Sequence, residues 1–238
     1  AMDVSKFTGK KDQTLTVLAP AGTSVGRVVL VGLGKAEAID VQAAQNFGGT
    51  GLAQVLTSGD AQVSIAVDAV PGLTLSDAEF AANAAFGARL RSYRFGKYFT
   101  KEKKEDKPSV RKLAVLTVAA AAAKAAFAPL DAIADGVFLT RDVVSEPANV
   151  IYPESLAAEC KALAGLGVDV EILGEKQMRK LGMGSLLGVG QGSDRESQLV
   201  VMRWSGAKDK DAAPLALIGK GVCFDTGGIS IKPAAGME

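Results

Sequence analysis

The hydrophobic pattern of this chain switches repeatedly between strand-like and helix-like periods. Residues 28–31 (VVLV) form a β-branched apolar run that stops at Gly32-Leu33-Gly34-Lys35, and the helix-compatible stretch 36–46 follows, which predicts strand, turn and helix. The third glycine of a dinucleotide-binding fingerprint is absent, so the Gly-x-Gly reads as a structural turn. Residues 63–67 (VSIAV) predict another strand. Ser76-Asp77-Ala78-Glu79 has the spacing of a capping box, in which each side chain satisfies the other residue's free backbone N–H, and it opens a helix to about Tyr93. From Lys97 to Lys112 basic residues are interleaved with Glu102, Glu105 and Asp106; this predicts a solvated loop, with a nucleic-acid contact as the alternative, before a strand at 113–118. Residues 119–126 are alanine-rich and helix-favouring, and Pro129 is expected to close that helix. A second helical run, 130–144, carries the one-faced stripe Leu130, Ile133, Ala134, Val137 and Phe138.

Beyond that run the pattern restarts. Pro153 suits the first turn of a helix to about Leu166, residues 168–173 (VDVEIL) alternate like a strand, and 175–181 predict a short helix. Residues 199–204 and 215–222 predict two further strands, the second apolar enough for a central strand covered on both faces. The expected fold class is α/β: two α/β domains with mixed sheets flanked by helices, the second incomplete in this chain. The expected boundaries are an N-terminal domain at 1–129, a linker helix at 130–145 and the second domain from 146 to 238.

Composition narrows the chemistry. The 238 residues are 48% hydrophobic and 22% charged, as in an ordinary globular protein, and the formal charge of +1 gives no global case for nucleic acid or an anionic membrane as principal partner. The complete absence of histidine excludes Ser-His-Asp and Cys-His catalysis and the HExxH zinc helix. Two distant cysteines, Cys160 and Cys223, do not read as a disulfide scaffold, and a reducing compartment is the default. No apolar run approaches the roughly 20 residues of a membrane span. The start lacks the basic-then-apolar order of a signal peptide, and Ala1 before Met2 reads as a cloning remnant.

Candidate chemistry concentrates in Ile218-Gly219-Lys220-Gly221-Val222-Cys223-Phe224-Asp225-Thr226-Gly227-Gly228-Ile229-Ser230-Ile231-Lys232-Pro233. Lys220 is expected near the C-terminal end of a buried strand, where open α/β sheets place their ligands. Asp225 and Lys232 follow around a glycine turn. Burying such charges costs several kcal/mol unless they are paired or bind a metal. From chemistry alone a Lys–Asp salt bridge at a strand end is the simpler reading, and a metal site the other. Cys223 reads as a small apolar filler.

This segment resembles the signature of the leucyl aminopeptidases, cytosolic two-metal exopeptidases. Two further stretches match in order. Arg141-Asp142 through Ser145-Glu146-Pro147-Ala148-Asn149, with Pro153 and Leu156-Ala157, resembles the entry into that family's catalytic domain; Gly182-Met183-Gly184 and residues 187–193 (LGVGQGS), followed by 199–204, resemble its next landmark. Residues before about 129 resemble the family's N-terminal domain in pattern.

The resemblance implies that Lys220 coordinates one metal ion, that Asp225 contacts both, and that Lys232 is the catalytic lysine that polarises the scissile carbonyl and stabilises the oxyanion. A lysine ligates only when neutral, so a metal there must displace a proton that free lysine keeps to a pKa of about 10.4. It further implies two divalent ions per subunit (Mn or Zn, with Mg or Co as alternatives), peptide substrates with a free N-terminus, release of leucine and other apolar residues, a homo-hexamer and a cytoplasmic location. In the family pattern the remaining metal ligands fall beyond Glu238, so the 238 residues alone are expected to be inactive. The alternative is a noncatalytic module, a truncated paralogue or a binding and regulatory domain, including one that binds DNA.

Overall fold

The chain divides into two units, Ala1–Asp142 and Val143–Glu238. The structure, a computed structural model, describes residues 1–69, 71–209, 211–223 and 235. Both units combine helices with small sheets, which makes the chain α/β with both parallel and antiparallel pairing.

The first unit begins with one helical turn, α1 (Met2–Ser5), and an antiparallel pair, β1 (Thr14–Leu18) and β2 (Arg27–Val31), with Thr14 opposite Val31 and Leu18 opposite Arg27. The sequence reading misses β1, whose five residues bury only Leu15 and Val17, and those only partly. After β2, Gly32-Leu33-Gly34 forms the structural turn that was expected. The Gly32 N–H donates to the Gln13 carbonyl at 2.7 Å and the Gly34 N–H to that of Gly9 at 2.9 Å, so these amides already have partners within the chain. A Cβ on Gly32 would lie 2.1 Å from the Lys10 carbonyl oxygen, which explains the glycine.

The helix expected over 36–46 is displaced. A 3-10 turn, Ala36–Ala38, precedes α2 (Val41–Ala53), and Asp40 sets the start: it is extended, and its Oδ1 accepts from the Ala43 N–H at 2.8 Å. Strand β3 (Gln62–Ala66), α3 (Asp77–Arg91) and β4 (Lys112–Leu116) form a β-α-β unit with parallel strands, Gln62 opposite Lys112 and Ala66 opposite Leu116. The capping box at the head of α3 is complete: Ser76 Oγ accepts from the Glu79 N–H, and Glu79 Oε2 accepts from the Ser76 N–H at 3.0 Å. Helices α2 and α3 cross on their small residues, and Ala44, Leu52, Ile65, Phe80, Ala81 and Ala88 lie in the core. Residues 97–111 form the expected loop, mostly exposed and with one 3-10 turn (Lys104–Asp106), and Arg94 just before it pairs with Glu102; Lys112 already belongs to β4.

Pro129 does not end a helix. One 26-residue helix, α4 (Ala120–Ser145), runs through it. The proline removes one intrahelical hydrogen bond and crowds the carbonyl of Ala125. Packing on both sides of that point holds the helix together: Ala123 is buried, and Asp131 and Asp135 both receive Arg89 of α3, at 3.0 and 2.7 Å. Farther along, Phe138 lies 5.2 Å from the Tyr93 ring.

The second unit contains α5 (Pro153–Ala162) with a 3-10 extension (Leu163–Leu166), β5 (Asp169–Leu173), α6 (Glu175–Lys180), α7 (Gly184–Gly190) and β6 (Leu199–Arg203). β5 and β6 pair antiparallel, with Asp169 opposite Arg203 and Leu173 opposite Leu199. The strand expected at 215–222 is not formed; the segment has no regular structure, and Leu215 and Ile218 are 87% and 97% exposed. A strand exists only through ladder bonds to a neighbour, and no described segment pairs with this one.

Candidate functional site

Within the described residues, the sequence landmarks of the second unit follow one another along the chain from the entry into α5. The first of them closes α4 and turns into α5: the Val150 N–H donates to the Pro147 carbonyl at 2.8 Å, as does that of Ile151 at 3.0 Å. Ser155 Oγ then accepts from the Tyr152 N–H at 2.9 Å and donates to the Val150 carbonyl at 2.7 Å, fixing the helix start beside Pro153.

In the second landmark the glycines serve geometry. Gly182 has φ +73°, a backbone conformation that favours glycine, and joins α6 to α7. Met178 of α6 is fully buried. Glu175 holds the following loop, accepting from the Ser197 N–H at 3.2 Å and pairing with Arg179 at 2.7 Å. The Arg195 guanidinium, in the loop before β6, stacks 4.0 Å over the ring of Tyr152, the residue before α5.

The third landmark reaches α5 at Gly221, where an added Cβ would lie 3.1 Å from Leu156 Cδ2. The neighbouring Lys220 is exposed and lies in the irregular segment, so the expected placement at the end of a buried strand does not hold among the described residues. Asp225 and Lys232 lie outside the described residues. Cys223 is half-buried, its Sγ 4.0 Å from the Gly221 carbonyl, and burial pushes its thiol above the ordinary range. Cys160 is likewise a free thiol raised by burial and by Glu159.

Among the described residues no group of three or more His, Cys, Asp or Glu side chains is placed to hold a metal ion. Lys220 alone is not a metal site, so these residues do not by themselves fit two divalent ions. Among them, too, no helix is long and apolar enough to cross a membrane.

The comparisons with known proteins are consistent across the chain. The family model described as the cytosol aminopeptidase family, N-terminal domain, matches residues 2–104, and that of the same family's catalytic domain matches residues 138–238. A probable cytosol aminopeptidase of Caulobacter vibrioides is 54% identical over 233 residues, 98% of this chain and 46% of its own length. One of Rhizobium etli is 49% identical over 240 residues, covering all of this chain and 47% of its own. The chain thus spans just under half the length of these curated relatives. Among solved structures, a mutant of tomato leucine aminopeptidase superposes with a TM-score of 0.70 at 25% identity, over 84% of this chain and 39% of its own. The bottromycin maturation enzyme BotP in complex with Mn gives 0.71 at 23% identity, over 84% and 41%, a likeness of fold.

Proposed function

This chain belongs to the cytosol aminopeptidase family, and we propose on that footing that the protein carrying it is a metal-dependent leucyl aminopeptidase. It would remove leucine and other apolar residues, one at a time, from peptides with a free N-terminus. The observation that supports this most is the match of residues 138–238 to the family's catalytic domain, which takes in Lys220, Asp225 and Lys232 together.

In this reading Lys220 and Asp225 hold the metal ions, two per subunit, Mn or Zn with Mg or Co as alternatives. When bound, such ions supply Lewis acidity toward the scissile carbonyl and an activated water. Lys232 contributes its own positive charge to the oxyanion that develops on that carbonyl. The exposure of Lys220 agrees with a ligand set that the described residues do not complete. One lysine and one aspartate are too few ligands for tight binding, so the 238 residues alone are proposed to be inactive. A homo-hexamer, a cytoplasmic location and the division at 1–129, 130–145 and 146–238 belong to the same proposal; the names of the relatives support the location. No observation favours the noncatalytic module.

Elemental analysis and steady-state kinetics of variants in the whole protein separate the roles. Asp225→Ala is expected to lose at least one ion and the activity. Lys232→Ala is expected to keep its metal and lose about 10²–10³-fold in kcat, the size of a single oxyanion donor. Lys220→Ala is expected to weaken one metal site. Equal metal loss in both lysine variants, or normal metal content in Asp225→Ala, overturns the assignment.

A further inference from the structure

A groove of about 550 Å3 opens in the first unit between α3, β4 and the start of α4, outside every landmark discussed above. Its size is that of a small-molecule site, for which about 300–1,000 Å3 is usual. The floor is apolar, formed by Leu52, Ala81, Ala88, Leu113, Val115 and Phe127, and the alanines of α3 leave the space. Its charged lining residues are all basic: Arg89, Arg111, Lys112 and Lys124, with no Asp or Glu. Arg89 is committed to Asp131 and Asp135. Arg111, Lys112 and Lys124 are exposed and enter no ion pair among the described residues.

The hydroxyls in the lining are also engaged. Ser92 Oγ donates to the Arg89 carbonyl at 2.7 Å, and Thr117 Oγ1 accepts from the Ala119 N–H at 3.3 Å. The amides of α3 and α4 are paired along their helices over most of the lining. Strand β4 pairs on one edge only among the described residues, so a peptide strand would need the backbone groups of its other edge. An alkyl chain makes no such demand, and a single negative head group complements the basic residues.

We propose that this groove binds an anionic amphiphile, a medium-chain fatty carboxylate whose chain lies on the apolar floor and whose carboxylate meets Arg111, Lys112 and Lys124. The test is calorimetric titration of the full chain with dodecanoate, below micelle-forming concentrations, with dodecyltrimethylammonium as the probe of equal chain length and opposite charge. Dodecanoate is expected to bind at least about tenfold more tightly than the cation, the size of one charge-assisted contact, and to weaken as salt is added. The exposed substitutions Arg111→Glu and Lys124→Glu, together, are expected to lower dodecanoate affinity at least about tenfold. Ala85→Phe, which fills the groove, is expected to abolish binding while the protein still melts cooperatively; should that variant fail to fold, the charge-reversal pair decides. Equal binding of the two amphiphiles, or unchanged dodecanoate affinity in the charge-reversed protein, overturns the proposal. So does binding of an apolar peptide with a free carboxylate that dodecanoate cannot displace.

Discussion

Gly48 and Gly87 mark where α2 and α3 touch backbone to backbone. A Cβ on Gly48 would lie 1.8 Å from the Ala84 carbonyl oxygen, and one on Gly87 would lie 1.8 Å from that of Gln45. Beside them Gln45 Nε2 donates to Asn83 Oδ1 at 2.9 Å, so the crossing is both close and hydrogen-bonded. Because the obstructing atoms are backbone, relief requires moving a helix. Gly48→Ala is therefore expected to cost about 1–3 kcal/mol by denaturant melting, the range of overpacking. Gly51→Ala is the control on the same helix: its nearest neighbour is 4.0 Å away, and alanine's better helix propensity should leave stability unchanged or slightly higher. Equal losses at both positions would show that the close crossing does not set the cost. At this scale the sequence is informative about chemistry and silent about contact. Lys220, Asp225 and Lys232 stand out by their spacing and by resemblance, whereas nothing local distinguishes Gly48 from Gly51, since the carbonyl that decides between them lies 36 residues away at Ala84.

Elements were legible where their determinants are local. The head of α3 is the clearest case, because Ser76 and Glu79 complete each other within one turn. The Ser76 hydroxyl, and then its backbone N–H, hold the Glu79 carboxyl below the ordinary carboxylate range. A lowered value means that this contribution to stability is present above the ordinary carboxylate pKa and is lost as pH falls through the lowered one. Ser76→Ala is expected to cost about 1 kcal/mol near neutral pH, with a smaller difference from the parent protein in acid. Thermal melts across that range check it, and a difference independent of pH would remove Glu79 from the interaction. Other elements were misread because their determinants are remote. Pro129 is a strong local breaker, yet α4 continues through it because Arg89 of α3, and Tyr93 just past the end of α3, engage the turns beyond. Residues 215–222 have the composition of a central strand, but composition cannot supply the neighbour whose ladder would make them one.

For the whole chain, the two units differ in how far their apolar residues are covered. The first buries Ala44, Leu52, Phe80 and Ala81 nearly completely, while the second leaves Trp204 70% exposed, and Leu215 and Ile218 of the open segment at 215–222 more so. Hydrogen exchange of the 238-residue chain is expected to be slow through α3 and β3 and fast through 215–222, whose amides have no ladder partner among the described residues. Protection at 215–222 equal to that of β3 would contradict the placement of that segment. The α/β class and the family were legible in sequence; the assembly of the site was not, since only Lys220 of its three assigned residues lies within the described part. Release of leucine from a leucyl peptide by the whole protein, compared with the same peptide carrying an acetylated N-terminus, tests the proposed activity most directly. Leucine release from the free-amine peptide and none from the acetylated one is the expected result. No release from either peptide, or equal rates from both, would contradict an aminopeptidase.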